Sequence, residues 1–178
     1  MRSKSKQKGA AFERSICKQL SLWVSGGKRE DLFWRSAMSG GRATVHKDKS
    51  KVGAQAGDIC SIDPMSSELV SKYYIECKNY KDLNFDSYIY SDKGILSSLI
   101  EETLKQSYLY NKKLMMIFKE ARRPIMVATN SVILSSFGSR IIRVLNVNFF
   151  EKEDFMYIVP FEDIINNTYE DVRRHICQ

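Results

Sequence analysis

Two short segments constrain the fold of this chain most strongly: GDICSID (residues 57–63) and YYIECKNY (residues 73–80). Both combine strand-forming residues with isolated charges. Successive side chains of a strand point to opposite faces, so Glu76 and Lys78 share one face of the second segment. A short link between neighbouring strands favours antiparallel pairing. The pattern therefore predicts a hairpin that carries a carboxylate and an ammonium group side by side on one face.

Asp58 of the first segment would bring a second carboxylate beside Glu76. Two carboxylates next to Lys78 suit a divalent-metal site, in which the metal activates a water and neutralises phosphate charge while the lysine orients the water or stabilises developing charge. Phosphodiester cleavage uses this arrangement. The alternative is a hairpin with a solvated polar face and no chemistry, because a D-x(n)-E-x-K pattern also recurs by chance.

Positive charge is concentrated at the start of the chain. The net charge is +7, and residues 1–60 hold 13 Lys and Arg against 5 Asp and Glu. A localised basic surface is typical of polyanion-binding proteins, and the alternative is a surface that serves solubility alone. The basic residues predicted to contact DNA are Lys4, Lys6, Lys8, Arg14, Arg35, Arg42, Lys47, Lys49 and Lys51.

The composition predicts one globular domain over residues 9–178, preceded by a flexible basic arm over residues 1–8; the chain has 178 residues, of which 43% are hydrophobic. No apolar run reaches the roughly 18–20 residues of a membrane span, and the charged N-terminus is unlike a signal peptide. We therefore expect a cytoplasmic protein without membrane contact. The four cysteines show no CxxC spacing and are expected to be free thiols in a reducing compartment.

The remaining periodicities predict alternating helices and strands, which is typical of an α/β protein. In chain order these are a helix over 9–24, a strand at 32–35, an exposed loop over 42–57, the two strands described above with a turn between them, an irregular stretch over 81–94, a long helix over 96–120 with a break expected near Asn111, a strand at 124–129, a helical piece near 131–143, strands near 143–149 and at 155–160, and a closing helix over 161–175.

An acid on the first helix, an Asp on the second strand and Glu-x-Lys on the third strand resemble the PD-(D/E)XK nuclease superfamily. Within it, the sequence looks most like the archaeal-type Holliday junction resolvases and their phage relatives. The resemblance covers roughly residues 8–130 and implies a restriction-endonuclease-like core, with a mixed central sheet flanked by helices in αβββαβ order. The segments that carry it are KGAAFER (8–14), Arg35 with Ser39-Gly40-Gly41, GDI (57–59) and IECK (75–78).

This resemblance implies a Mg²⁺- or Mn²⁺-dependent DNA endonuclease that acts on branched DNA as a homodimer. Asp58 and Glu76, together with the backbone carbonyl of Cys77, would hold the metal. Glu13 would bind a metal ion or a coordinated water, and Lys78 would contact the attacking water. If the protein is encoded by a phage, its place of action would be the host cytoplasm.

Three further positions bear on the resemblance. Ser39 matches a serine that lies near the active site in such resolvases. Gly57 stands before Asp58 where the resolvase branch often has proline. Gln106 and Tyr110 form a Q-x-x-x-Y pattern similar to one in the RecB- and lambda-exonuclease-like branch, and they would help position the metal-site face or the DNA end. Alternatively, Gln106 is only an exposed helix residue and Tyr110 only an aromatic residue that packs in the core.

Other functions remain open at this stage. A restriction-like or end-dependent exonuclease or nickase of the same superfamily would carry the same residues. A non-catalytic nucleic-acid-binding module on this fold would keep the basic surface, and a purely structural domain would leave the uneven charge unexplained. The form of the DNA substrate distinguishes the enzyme alternatives.

Overall fold

The computed structural model describes residues 4–36, 56–91, 94–137, 140–149 and 152–176. Five of the residues predicted to lie at the site or on DNA fall outside these ranges: Ser39, Arg42, Lys47, Lys49 and Lys51. The side chains of Lys4 and Lys6 also fall outside the description. In the part of the chain that is described, no helix combines the length and the apolar character needed to cross a membrane.

Helices and strands alternate along the described chain. Their bounds are α1 Lys4–Val24, β1 Phe33–Arg35, β2 Ile59–Ser61, α2 Pro64–Lys72, β3 Tyr73–Tyr80, α3 Phe85–Ser91, α4 Ile95–Leu109, β4 Lys113–Glu120, β5 Ile125–Thr129, α5 Val132–Ser136, β6 Arg143–Phe149, β7 Lys152–Pro160, α6 Phe161–Ile165 and α7 Tyr169–Ile176.

The centre of the fold is a five-stranded mixed sheet with strand order β3-β4-β5-β7-β6. Strands β3 and β4 run parallel because α3 and α4 return the chain between them, and the other neighbouring pairs run antiparallel. Strands β1 and β2 form a separate antiparallel ribbon in which Trp34 lies opposite Cys60. The predicted α/β class, a mixed sheet flanked by helices as in restriction endonucleases, is confirmed.

The sheet separates two hydrophobic cores, and β3 contributes to both. Ile75 and Cys77 pack with Ile16 of α1 in the first core. Tyr74 packs with Leu104 of α4 in the second core, on the opposite face. Because side chains alternate along a strand, the polar residues that follow Tyr74 at two-residue intervals lie on the α4 side of the sheet.

The predicted start of the first helix at Gly9 was wrong. The helix begins at Lys4, so residues 4–8 are helical. Lysine and glutamine favour helices almost as strongly as alanine does, which explains why the helix continues through this polar segment. The contact of these residues with phosphates, and the division into one arm and one domain, stay predictions.

The predicted antiparallel hairpin of the two acidic segments was also wrong. Their link is the helix α2, whose start is capped by the Asp63 carboxylate accepting from the Met65 amide at 2.9 Å. Pro64 occupies the first turn, where a missing N–H costs little, and this Asp-Pro pair is the helix signal that a turn interpretation overlooks. Strand β2 pairs with β1 instead. One isolated parallel bridge, between Gly57 and Ile75, joins the first segment to β3 among the described residues.

The predicted helix over 96–120 was correct up to the break expected near Asn111 and wrong beyond it. Helix α4 ends at Leu109, and Asn111 adopts a left-handed backbone with φ 52° that breaks it. The apolar run that follows is β4, in which residues 114–118 are all buried. A strand buried on both faces shows no alternation, so its pattern resembles that of a buried helix. The stretch over 81–94, predicted to be irregular, contains the helix α3.

The C-terminal predictions differ from the structure mainly in length. The three predicted strands correspond to β5, β6 and β7, although β7 begins three residues earlier than predicted. The helical piece near 131–143 is reduced to α5, a short helix capped by the Ser131 hydroxyl, which accepts from the Leu134 amide. The predicted closing helix is two helices, α6 and α7, with residues 166–168 between them.

Candidate active site

Asp58 is fixed against the free edge of β3 by two hydrogen bonds. Its backbone amide donates to the Ile75 carbonyl at 2.9 Å, and its carboxylate oxygen Oδ2 accepts from the Cys77 amide at 2.9 Å. The N–H and C=O of one strand residue point to the same side, so the Cys77 carbonyl faces this edge together with Asp58. The structure therefore brings the predicted Asp58 and Cys77 groups to one place.

Gly57 allows this close approach. It has a φ of +87°, and a Cβ built on it would lie 2.4 Å from the Ile75 carbonyl oxygen. Proline is excluded here because its ring fixes φ near −65°. The departure from the proline of the resolvase branch thus has a local cause: in this chain the segment before Asp58 lies directly on the backbone of β3.

Glu76 and Lys78 lie on the same face of β3, as predicted. The Lys78 Nζ donates to Glu76 Oε1 at 2.7 Å, and their side chains are 25% and 15% exposed respectively. Burial opposes the charged form of Lys78, but the charges of Glu76 and Asp58 and the hydrogen bond to Glu76 outweigh it and raise its pKa. Lys78 is therefore held as a cation beside two carboxyl groups.

Asp58 itself is in an unfavourable place for a negative charge. Burial, and next the charge of Glu76, raise its pKa from 3.8 to about 7; Glu13 adds to this, while the Cys77 amide and Lys78 oppose it. A divalent cation would relieve this repulsion. Carboxylate and carbonyl oxygens are the donors that Mg²⁺ and Mn²⁺ prefer, and Mg²⁺ often binds through one or two carboxylates plus waters. The donor set of Asp58, Glu76 and the Cys77 carbonyl therefore fits such an ion.

Glu13 is paired with Arg35. Its Oε2 accepts from the Arg35 Nε at 2.5 Å, and its side chain is 13% exposed. Across the described residues, no three His, Cys, Asp or Glu side chains are grouped closely enough to hold a metal ion. The structure thus does not bring Glu13 into a common ligand cluster with Asp58 and Glu76, although its charge acts on Asp58. A role for Glu13 as a ligand stays a prediction.

Two tyrosines support the Glu76 side chain from the second core. Burial, followed by the charges of Glu76 and Asp58, raises the pKa of Tyr74, and a hydrogen bond with Glu76 contributes in the same direction. The Tyr110 ring stacks on Tyr74, with centroids 5.8 Å apart and an interplanar angle of 17°. Tyr110 of the Q-x-x-x-Y pattern therefore contacts Tyr74, the neighbour of Glu76 on the same face of β3. Gln106 is half-buried on α4, and a role for it at the site stays a prediction.

The basic residues predicted to contact DNA differ in their surroundings. Lys8 and Arg14 are exposed on α1 and available to a ligand. Arg35 is engaged with Glu13 and only partly exposed. Other basic residues of the first third are in surface ion pairs: Lys18 with Glu30, and Arg29 with Asp31 and Asp63. The available basic surface among the described residues is therefore smaller than the count of charges indicates.

Sequence reasoning missed Tyr74 and the Glu13–Arg35 pair. Tyr74 could have been found, because it lies two residues before Glu76 and therefore on the same face of the strand. The ion pair could not, because its partners are 22 residues apart and meet only when α1 packs against β1.

A model of one protein family matches residues 4–171, and that family is described as "Phage putative PDDEXK endonuclease". The matched segment contains Glu13, Asp58, Glu76 and Lys78. No curated protein and no solved structure matches the chain.

Proposed function

Since this chain belongs to the phage PDDEXK endonuclease family, we propose that it is a metal-dependent DNA endonuclease that hydrolyses phosphodiester bonds. One observation carries the proposal: two hydrogen bonds hold Asp58 at the edge of β3, beside the Glu76–Lys78 ion pair. A half-buried pair of carboxyl groups next to a lysine has little structural value, since removing such charges from water costs more than a packed apolar site would. The arrangement is instead suited to phosphoryl chemistry.

Asp58, Glu76 and the Cys77 carbonyl would hold Mg²⁺ or Mn²⁺. When bound, the ion would lower the pKa of a water and neutralise charge on the scissile phosphate. The Cys77 amide orients the Asp58 carboxylate through its 2.9 Å hydrogen bond. The buried Tyr74 phenol lies next to Glu76 on the same face of β3, close enough for the Glu76 charge to raise its pKa.

Lys78 has the geometry of a group that assists the attacking water. It is a cation on the same face as Glu76 and is fixed at 2.7 Å from it. From this position it can orient the water and stabilise charge that develops on the phosphate. Lys8 and Arg14 of α1 would bind the DNA backbone with a salt-sensitive affinity that does not depend on sequence.

The resemblance to Holliday junction resolvases supports a branched substrate. A four-way junction has two equivalent strands to cut, and a symmetric homodimer would present two equivalent sites to them. We therefore propose a structure-specific endonuclease, acting as a homodimer in the host cytoplasm. A restriction-like enzyme, an end-dependent exonuclease or nickase, or a non-catalytic binding module on the same fold is the alternative.

The test uses shape-conserving variants. The wild type, Asp58→Asn and Glu76→Gln are incubated with Mg²⁺ and a labelled four-way junction, a linear duplex, a supercoiled plasmid and a single strand. Glu102→Ala, an exposed acid on α4, is the matched control. We expect symmetric cuts at the junction that both site variants lose and the control keeps, while binding in EDTA persists in all four proteins.

Other outcomes would assign the protein differently. Cutting of duplex, plasmid or single strand in preference to the junction would favour another nuclease branch. Binding without any cutting would leave a nucleic-acid-binding module. Cleavage by both site variants at the wild-type rate would show that the site is elsewhere. A monomer by light scattering at working concentration would count against junction resolution.

A further inference from the structure

The two tryptophans of this chain have opposite environments. Trp23 is 7% exposed, its indole N–H donates to the Asn167 carbonyl at 2.8 Å, and its ring contacts Tyr169. Trp34 is 58% exposed on the ribbon of β1 and β2. Its indole therefore contributes little to the core.

The position of Trp34 follows from the strand alternation of this ribbon. Phe33 and Ile59 are buried in the core that packs against α1. Alternation turns Trp34 and its register partner Cys60 to the opposite face. Asp58 lies two residues before Cys60 and shares this face. The ribbon is tied to the catalytic edge, because the Ser36 amide donates to the Asp58 carbonyl at 2.8 Å.

The distance between Trp34 and Asp58 corresponds to only a few bases along a DNA strand. Trp34 lies opposite Cys60, and the hydrogen bond from Ser36 to Asp58 continues the same ladder, so Trp34 and Asp58 are diagonal neighbours on one face, roughly 7–8 Å apart. Successive bases of one DNA strand are spaced about 3.4 Å apart. A strand whose phosphate lies at Asp58 would therefore pass its bases within reach of the indole.

We propose that Trp34 is a stacking platform for an unpaired base of the substrate, one or two nucleotides from the scissile phosphate. This inference rests on the proposed nuclease function and deepens it. An indole face stacks on any base without sequence preference, but base pairs in continuous duplex already stack on one another. Trp34 would thus favour DNA with accessible bases near the cut, such as branch points and single strands, over uninterrupted duplex.

The two tryptophans make the contact directly observable. Emission of the wild type is recorded during titration with oligo(dT) in EDTA, which prevents cleavage, and Trp34→Phe supplies the signal of Trp23 alone. We expect quenching in the wild type and none in Trp34→Phe. By anisotropy, Trp34→Ala should weaken single-strand binding by roughly 5- to 100-fold while duplex binding changes little, and Trp34→Phe should restore most of the affinity.

Ile62→Ala is the matched control, because Ile62 is 59% exposed and lies at the end of the same ribbon but has no ring to stack. It should bind single strands like the wild type. Equal quenching in the wild type and Trp34→Phe, or wild-type affinity in Trp34→Ala, would overturn the inference and leave the nuclease proposal intact.

Two other results would also overturn the inference. If Trp34→Ala and Ile62→Ala changed the oligomeric state by light scattering and left DNA affinity unaltered, the face would be a contact with a second copy of this chain. If the wild type bound none of these DNAs by anisotropy, the nuclease proposal would fail first and the stacking inference with it.

Discussion

The most informative perturbation is the addition of one methyl group at Gly57, compared with the same change at Gly27. Their φ angles are nearly identical, +87° and +84°. A left-handed conformation costs an L-residue roughly 1–2 kcal/mol at either position. The surroundings differ: a Cβ at Gly27 meets nothing within 4 Å, whereas one at Gly57 lies 2.4 Å from the Ile75 carbonyl oxygen. The comparison isolates the cost of separating the Asp58 segment from β3.

The cost of this separation can be estimated from the hydrogen bonds at risk. Losing the bond from the Asp58 amide to Ile75 removes about 0.5–1.5 kcal/mol, and leaving the Cys77 amide without its partner costs about 1–3 kcal/mol more. We therefore expect Gly57→Ala to lower the free energy of unfolding by about 3–6 kcal/mol and Gly27→Ala by about 1–2 kcal/mol. Misplacing Asp58 by 1 Å should also reduce cleavage on the order of 100-fold, an effect absent from Gly27→Ala.

Urea unfolding in EDTA, followed by far-UV circular dichroism, gives the two free energies, and single-turnover cleavage in Mg²⁺ gives the rates. Both are measured on the same preparations, so that a loss of folded protein is separated from a loss of chemistry. Equal destabilisation by the two substitutions, or full activity of Gly57→Ala, would refute the argument that Gly57 is required for the approach of Asp58 to β3.

Three further predictions follow from the buried polar groups. Tyr74→Phe should reduce single-turnover cleavage several-fold and lower the free energy of unfolding by only about 1 kcal/mol, because it removes the hydroxyl beside Glu76 and keeps the ring that stacks on Tyr110; an unchanged cleavage rate would contradict this. Burial lowers the pKa of Lys112 from 10.5 to about 8, so the unfolded chain holds this proton between about pH 8 and 10.5 and the folded chain does not. The free energy of unfolding in urea is therefore measured for the wild type and Lys112→Met, and the wild-type value minus the variant value should rise from about pH 8 to 10.5. The other titrating groups are common to both proteins and cancel, so a difference that does not change with pH would contradict the prediction. Cys77 and Cys17 are buried with raised pKa, so alkylation at pH 8 mapped by mass spectrometry should modify half-exposed Cys60 before either of them; faster labelling of Cys77 would contradict the burial.

Strand alternation was sufficient to predict the relation of Glu76 to Lys78, because it depends only on the local backbone. The partners of β3 could not be predicted in the same way. The first acidic segment and YYIECKNY follow each other closely, which favours a hairpin, but the Asp63-Pro64 start of α2 turns the link into a helix. The resulting parallel bridge at Gly57 is a tertiary contact with no local signal.

The second half of the predicted long helix shows a different difficulty. Residues 114–118 form a continuous apolar run, which periodicity alone does not assign to a helix or a strand. Their burial on both faces of the sheet decides the matter. The pairing of Glu13 with Arg35 likewise depends on tertiary structure, because α1 meets Arg35 only in the folded chain.

Strand β3 is an edge strand of the five-stranded sheet. Unpaired backbone groups on such an edge invite pairing with another chain and can seed aggregation. Here the Ile75 carbonyl and the Cys77 amide are occupied by Asp58. The segment that supplies a candidate catalytic group thus also protects the edge, so damage to it should reduce solubility and activity together.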